Sequence, residues 1–287
     1  MAKFVICTDS ACDLDKEMLG QMGVEYVELT FRFDGEDREY TNYEMPTKAF
    51  YDRMRDGGIA KTAAINTEVF AKKFTEILDT GANVLYLGFS TGLSTTFNSA
   101  RLASLELKEK YPEKRIEVVD TLAASAGQGL IVYLANEKKN GGASIDEVAA
   151  YVRELVPHLC HWFTVDDLVY LKRGGRVSPA VAFVGNLLGI KPVLHVDDDG
   201  HLINVSKARG RKNAVDALAE KYDELAVNKA GIAFISHADC KADAEALGEM
   251  LREKHGADVR YIADIGPVIG AHSGPGTLAL FFEGERK

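Results

Sequence analysis

Short β-type runs alternate with segments of helical spacing along most of this 287-residue chain, and that alternation restricts the fold more than any other feature. Phe4–Thr8, Val24–Phe33, Val84–Leu87 and Ile116–Asp120 read as strands. Apolar residues recur at helical spacing over 67–80, 94–111 and 123–139. Pro46 suits the first turn of a helix running to Arg55, closed by Gly57-Gly58. Ser144 with Glu147 three residues on is a capping-box start for a helix over 145–156, which Pro157 follows. Strands that alternate with helices predict a largely parallel sheet with helices on its faces.

The second half has a different texture. Pro192–Val196, the turn Asp197–Gly200 and Leu202–Ser206 read as a β-hairpin. A helix at 211–225, a strand at Ile232–Ser236, a helix at 240–255 and strands at Val259–Ala263 and Thr277–Phe282 follow. Hairpins mixed with βα units predict a mixed sheet. The fold class expected is therefore α/β with two α/β domains, an N-terminal one over 1–158 and a C-terminal one over 159–287. Apolar residues make up 46% of the chain, ample for two such cores.

Charge and local composition narrow the function. Against 43 Asp+Glu there are 34 Lys+Arg, a formal net charge of −9 that disfavours duplex nucleic acid as a main partner. The longest nearly apolar stretch, Val181 to Ile190, is about half of what a spanning helix needs, and the N-terminus lacks a signal-peptide core. Cys7, Cys12, Cys160 and Cys240 form no CxxC, so neither a disulfide framework nor a zinc site is expected, and the cytoplasm is the expected location. His158, Cys160 and His161 crowd together but lack a fourth ligand at suitable spacing, so no metal site is read there.

Several segments carry candidate chemistry. Gly88-Phe89-Ser90-Thr91-Gly92 follows a strand and precedes a helix, the context of the nucleophile of an α/β-hydrolase, so a serine esterase using Ser90 is one reading. The same stretch has a second reading. Ser90, Thr91, Ser94, Thr95 and Thr96 set hydroxyls and free N–H groups at a helix start, which suits a carboxylate or phosphate. Lys61–Asn66 is a second hydroxyl segment, and the Gly- and Pro-rich run 265–276 reads as irregular backbone holding His272 and Ser273. Asp9, Ser10 and Asp13 follow the first strand, at the end where open α/β sheets place ligands; a helix cap is the commoner use of Asp13. Lys172-Arg173-Gly-Gly-Arg176 and Lys207-Ala-Arg209-Gly-Arg211-Lys212 are basic clusters in an acidic chain.

Taken together, the motifs resemble the DegV family: TDSxxDL at 8–14, KT at 61–62, FSxxLSxT at 89–96, D-T-x-x-x-S-x-G-Q-G at 120–129, LKRGGR at 171–176, GIKPVL at 189–194 and GPVIGAHSGPG at 266–276. They run from end to end in family order. The resemblance implies a non-enzymatic binding protein that holds one long-chain fatty acid, of about sixteen to eighteen carbons, between two α/β domains, with no other cofactor and no metal. Members include the FakB subunits of bacterial fatty acid kinase, which present the acyl carboxylate to a separate ATP-using subunit; for this chain a transient membrane contact is compatible with that role. It implies a carboxylate site on Thr62, Ser94 and His272, with Thr95 adjoining. Arg173, Arg176 and Arg209 are the candidates for docking the kinase. Two departures stand out. The family's KTSQP is here Lys61-Thr62-Ala63-Ala64-Ile65, and its LSGT is Leu93-Ser94-Thr95-Thr96.

Overall fold

The computed structural model describes residues 3–177 and 189–285, so most of the apolar stretch at 181–190 lies outside the described residues. Strand β1 (Phe4–Asp9) leads through a 3-10 turn at Ser10–Cys12 to helix α1 (Lys16–Met22). Strands β2 (Glu25–Val27), β3 (Thr30–Phe33) and β4 (Tyr40–Thr41) precede helix α2 (Thr47–Arg55) and strand β5 (Ala60–Ala63). Helix α3 (Thr67–Asp79), strand β6 (Asn83–Gly88), helix α4 (Thr96–Lys110), strand β7 (Ile116–Asp120) and helices α5 (Ser125–Asn140) and α6 (Ile145–Leu155) complete the N-terminal half. The C-terminal half holds β8 (Leu159–Thr164), the short α7 (Val169–Gly174) and the hairpin β9 (Ile190–Val196) and β10 (Leu202–Arg209). After it come α8 (Arg211–Leu225), β11 (Ile232–His237), α9 (Lys241–His255), β12 (Asp258–Asp264), α10 (Pro267–Ser273) and β13 (Leu278–Glu283).

These strands form an all-parallel sheet β2-β1-β6-β7, a small antiparallel sheet β4-β3-β5, and a six-stranded sheet β10-β9-β8-β13-β11-β12 in which only β11 and β12 are parallel. The α/β class with a parallel N-terminal sheet and a mixed C-terminal one is the architecture that the alternation predicts. Strand β6 is buried along its whole length because helices cover both faces of its sheet, which is why it reads as an unbroken apolar run. The capping box on α6 is formed, with Ser144 Oγ accepting from Glu147 N–H at 3.3 Å.

Helix α5 joins the two halves. Ser125 to Val132 are all buried, because the helix packs against strands of both large sheets. Glycine is required there: a Cβ on Gly127 would lie 2.6 Å from the Phe281 ring, and one on Gly129 2.8 Å from Cys12 O. The apolar clusters mix the halves as well. Phe163, Leu194, Phe234 and Phe281 pack with Ile6, Leu85 and Leu130, while Ile265 and Ala271 join Phe31, Phe33, Phe50 and Tyr51. Among the described residues no helix is long and apolar enough to cross a membrane.

Two local expectations are corrected. The run 24–33 is not one strand; it breaks at Glu28-Leu29, because Leu29 N–H donates to Ser10 Oγ and Leu29 O accepts from Asn42 N–H, and β2 and β3 enter different sheets. The hydroxyl segment at Lys61–Ala63 lies in strand β5, paired antiparallel with β3. The segment 265–276 is not wholly irregular: Pro267 opens helix α10 at the position where a missing N–H costs nothing. Gly270 lets that helix approach Tyr51, whose Oη would lie 2.3 Å from an added Cβ.

Candidate functional site

Three separate stretches of sequence bring polar groups to one cavity of about 380 Å³, within the range of small-molecule sites. Thr62 comes from β5, Ser94 from the turn between the carboxyl end of β6 and α4, and His272 from α10. Thr62 Oγ1 and His272 Nε2 lie 2.8 Å apart although 210 positions separate them. Ser94 Oγ lies 2.9 Å from Thr96 Oγ1 and accepts from Thr96 N–H at 3.2 Å, and Thr96 Oγ1 accepts from Ile65 N–H. Leu29, Phe89, Phe163, Leu171, Ile269 and Phe281 supply apolar wall.

Arg176 closes the polar ring. Its Nε donates to Leu93 O at 3.1 Å, and the guanidinium also bonds Gly174 O. It is half-buried in the cavity wall, rather than set on an open face as a docking residue would be. Arg173 and Arg209 are exposed, the former over the Tyr170 ring. Arg211, from the second basic cluster, is occupied by Asp243 at 2.8 Å.

Burial and then the neighbouring Arg176 push His272 down to about 4, so its imidazole is neutral at pH 7. Burial also lowers Arg176 from its usual value, though not enough to cost an arginine its charge. In the tautomer that carries its proton on Nε2, His272 donates to Thr62 Oγ1 and leaves the Thr62 hydroxyl free to donate into the cavity. His272 Nδ1, which then carries no proton, faces Gly174 without a hydrogen-bond partner among the described residues.

The departures from the family pattern lie on the cavity: Ala63, Ala64 and Thr95 all line it, while Ile65 turns into the core under α3 and α4. The sequence reading left three polar residues out of the carboxylate site that the structure brings to it. Ser125, His161 and Ser273 line the same cavity, and Ser273 is 6% exposed with a hydroxyl that has no hydrogen-bond partner among the described residues. Strand alternation carried the signal for His161: it faces the cavity with Phe163, while Cys160 and Trp162 face the opposite core.

The esterase reading is not supported. Ser90 is fully buried, its Oγ donates to Gly200 O at 3.0 Å and accepts from Gly92 N–H, and His272 is engaged with Thr62 instead. The glycines of that motif serve close packing: a Cβ on Gly92 would lie 2.7 Å from Asp199 O in the β9–β10 turn. Among the described residues no group of three or more His, Cys, Asp or Glu could hold a metal ion.

Comparison with known proteins places this geometry. A family profile described as "Uncharacterised protein, DegV family COG1307" matches residues 3–285. A DegV domain-containing protein of Clostridium perfringens is 46% identical over 289 residues, covering 100% of this chain and 99% of its own. The crystal structure of a DegV lipid-binding protein from Thermotoga maritima matches with a TM-score of 0.86 at 34% identity, covering 99% of this chain and 100% of that one. A Thermus thermophilus structure described as fatty acid binding of a DegV family protein matches with a TM-score of 0.89 at 31% identity, covering 98% and 99%. End-to-end coverage at these identities, with five of the seven family motifs contributing lining residues to one cavity, makes this chain a member of the DegV family.

Proposed function

We propose that the protein binds one long-chain fatty acid in this cavity, carboxylate toward Thr62, Ser94 and His272, and presents that end to a partner kinase. The observation that carries the reading is the pairing of an extended apolar wall with hydroxyls and a neutral imidazole that meet from three distant stretches. Relatives with the same fold are described as lipid- or fatty-acid-binding. A sixteen-carbon tail brings about fourteen methylenes, worth at most ~11 kcal/mol on burial, from which association and ordering costs of several kcal/mol are subtracted. Tail burial thus supplies the affinity, and the polar ring fixes which end is where. Extraction of the purified protein, with native mass spectrometry, tests this reading: one fatty acid per chain supports it, and a chain that takes up no fatty acid overturns it.

Ser94→Ala should cost about 1–2 kcal/mol of fatty-acid affinity, the loss for one hydrogen bond to a charged group. Fatty alcohols of equal length should bind more weakly than the acids in the same titration. Equal binding of acid and alcohol would rule out a carboxylate site.

Presentation to a kinase is supported by the family resemblance and by the exposure of Arg173 and Arg209. A partner that holds ATP phosphates is repelled by a net charge of −9 unless a positive patch faces it, and arginine pairs bidentately with carboxylate or phosphate. Arg173→Ala should leave melting temperature and fatty-acid binding nearly unchanged. Acyl-phosphate formation by an added fatty acid kinase should fall and lose part of its salt dependence. Normal phosphorylation by that variant would move docking elsewhere.

A further inference from the structure

Helix α10 carries His272 near its far end, and its first turn is held by side chains from the opposite half of the chain. Asp13 Oδ1 accepts from Gly266 N–H and Asn42 Oδ1 from Val268 N–H, each at 2.9 Å. Backbone N–H groups of a first turn have no partner within their own helix, and Pro267 between them has none to satisfy. Asn42 is itself anchored, its Nδ2 donating to Ser10 O at 3.0 Å. The second oxygen of Asp13 accepts from Ser125 Oγ at 2.6 Å, so one carboxyl holds both the start of α10 and a residue of the cavity wall. The fit is close: a Cβ on Gly266 would lie 2.6 Å from Asn42 Nδ2 and 2.8 Å from Asp13 Oδ1. Asp13 and Asn42 are 5% and 2% exposed, and neither lines the cavity.

Helix α10 has seven residues, a rod roughly 10 Å long. A tilt of about 10° at its first turn moves the far end by nearly 2 Å, enough to part a hydrogen-bonded pair. We propose that Asp13 and Asn42 are positioning residues for the headgroup site, clamping α10 across the two halves so that His272 meets Thr62 only when the halves are seated together. Carboxylate grip and closure of the halves are then one event. The functional consequence rests on the fatty-acid reading; the link from Asp13 and Asn42 to His272 does not.

The test pairs two measurements on the full chain: affinity for palmitate, and the pH titration of the His272 ring by NMR without ligand. Asn42→Ala and Asp13→Ala should each weaken palmitate binding about tenfold and move the His272 titration upward from about 4 toward ordinary histidine, as the ring leaves its buried pocket. Asp13→Asn should restore most of the binding, because its amide oxygen still accepts from Gly266 N–H and its NH₂ can donate to Ser125. Folded alanine variants whose His272 titration stays put would overturn the proposal. If Asp13→Ala does not fold, Asn42→Ala decides alone. If the wild type binds no palmitate, the fatty-acid reading falls while the titration still decides the clamp.

Discussion

Replacing Gly174 with alanine should lower fatty-acid affinity about 10- to 100-fold in a protein that still folds. A Cβ at this position would lie 2.2 Å from His272 Nδ1, well inside contact distance. Two effects compete. Alanine favours the helical end of α7 by up to about 1 kcal/mol over glycine, whereas forcing atoms into a filled space costs about 1–3 kcal/mol. The ring has little room to retreat, with Thr62 bonded on its other nitrogen and Arg176 beside it. The overlap wins and His272 swings off Thr62, so the damage appears in binding more than in melting temperature. Titration of the variant with palmitate checks this, and wild-type affinity would show that the ring at 272 is dispensable. Ser94→Ala should be milder, because it deletes one bond without moving its neighbours.

Stability should depend on pH through two buried groups that act in opposite directions. Burial raises Asp13 from its ordinary carboxyl value to about 7, against the lowering effect of its bonds from Ser125 and Gly266. Its folded form therefore holds a proton that the unfolded chain releases near pH 4. The resulting stabilisation is complete below about pH 4 and is lost as pH rises to about 7. His272 runs the other way: lowered to about 4, it stays neutral in the fold while the unfolded chain takes up a proton below about 6.5, so stability is lost as pH falls toward 4. Each effect amounts to about 1 kcal/mol per pH unit inside its window. Urea unfolding of the wild type and of Asp13→Asn and His272→Gln, at steps from pH 4 to 7, separates them. Relative to Asp13→Asn, the wild type should lose about 3–4 kcal/mol as pH rises through the window. Relative to His272→Gln, it should gain about 2–3 kcal/mol over the same rise. Parallel curves for all three proteins would refute both assignments.

The parallel core was legible because its strands are buried on both faces, so Val84–Leu87 and Phe4–Thr8 stand out as apolar runs whatever their partners. The break at Glu28-Leu29 was not legible, since it is made by Ser10 and Asn42, residues distant in sequence that take the backbone bonds of Leu29. The run 265–276 misleads for a related reason. Glycine and proline signal turns, yet Pro267 is tolerated at a helix start and Gly270 answers to Tyr51. Thr62, Ser94 and His272 were visible singly, as hydroxyls and a histidine near element ends, but spacing could not join them; only the family resemblance did. Arg176 reads as a docking residue because it shares a basic cluster with Lys172 and Arg173, whereas its place in the cavity wall depends on Leu93 O. Ser125 faces the cavity through packing between two sheets, which no local pattern encodes.

Strand β13 follows every other described strand in the sequence, yet it occupies the middle of its sheet, between β8 and β11. A ribosome must therefore deliver the chain through Glu283 before that sheet can close. Until then β8 and β11 expose unpaired edges, and Phe163 and Phe234 lack the neighbours that cover them. The cavity does not exist in the nascent polypeptide either, since Phe281 and His272 are among the last of its walls to be synthesised. Bringing such remote partners together late is slow relative to local helix formation. Newly made chains are accordingly open to mispairing at β8 and β11 until β13 arrives, and the cavity can receive a ligand only after that strand has been made.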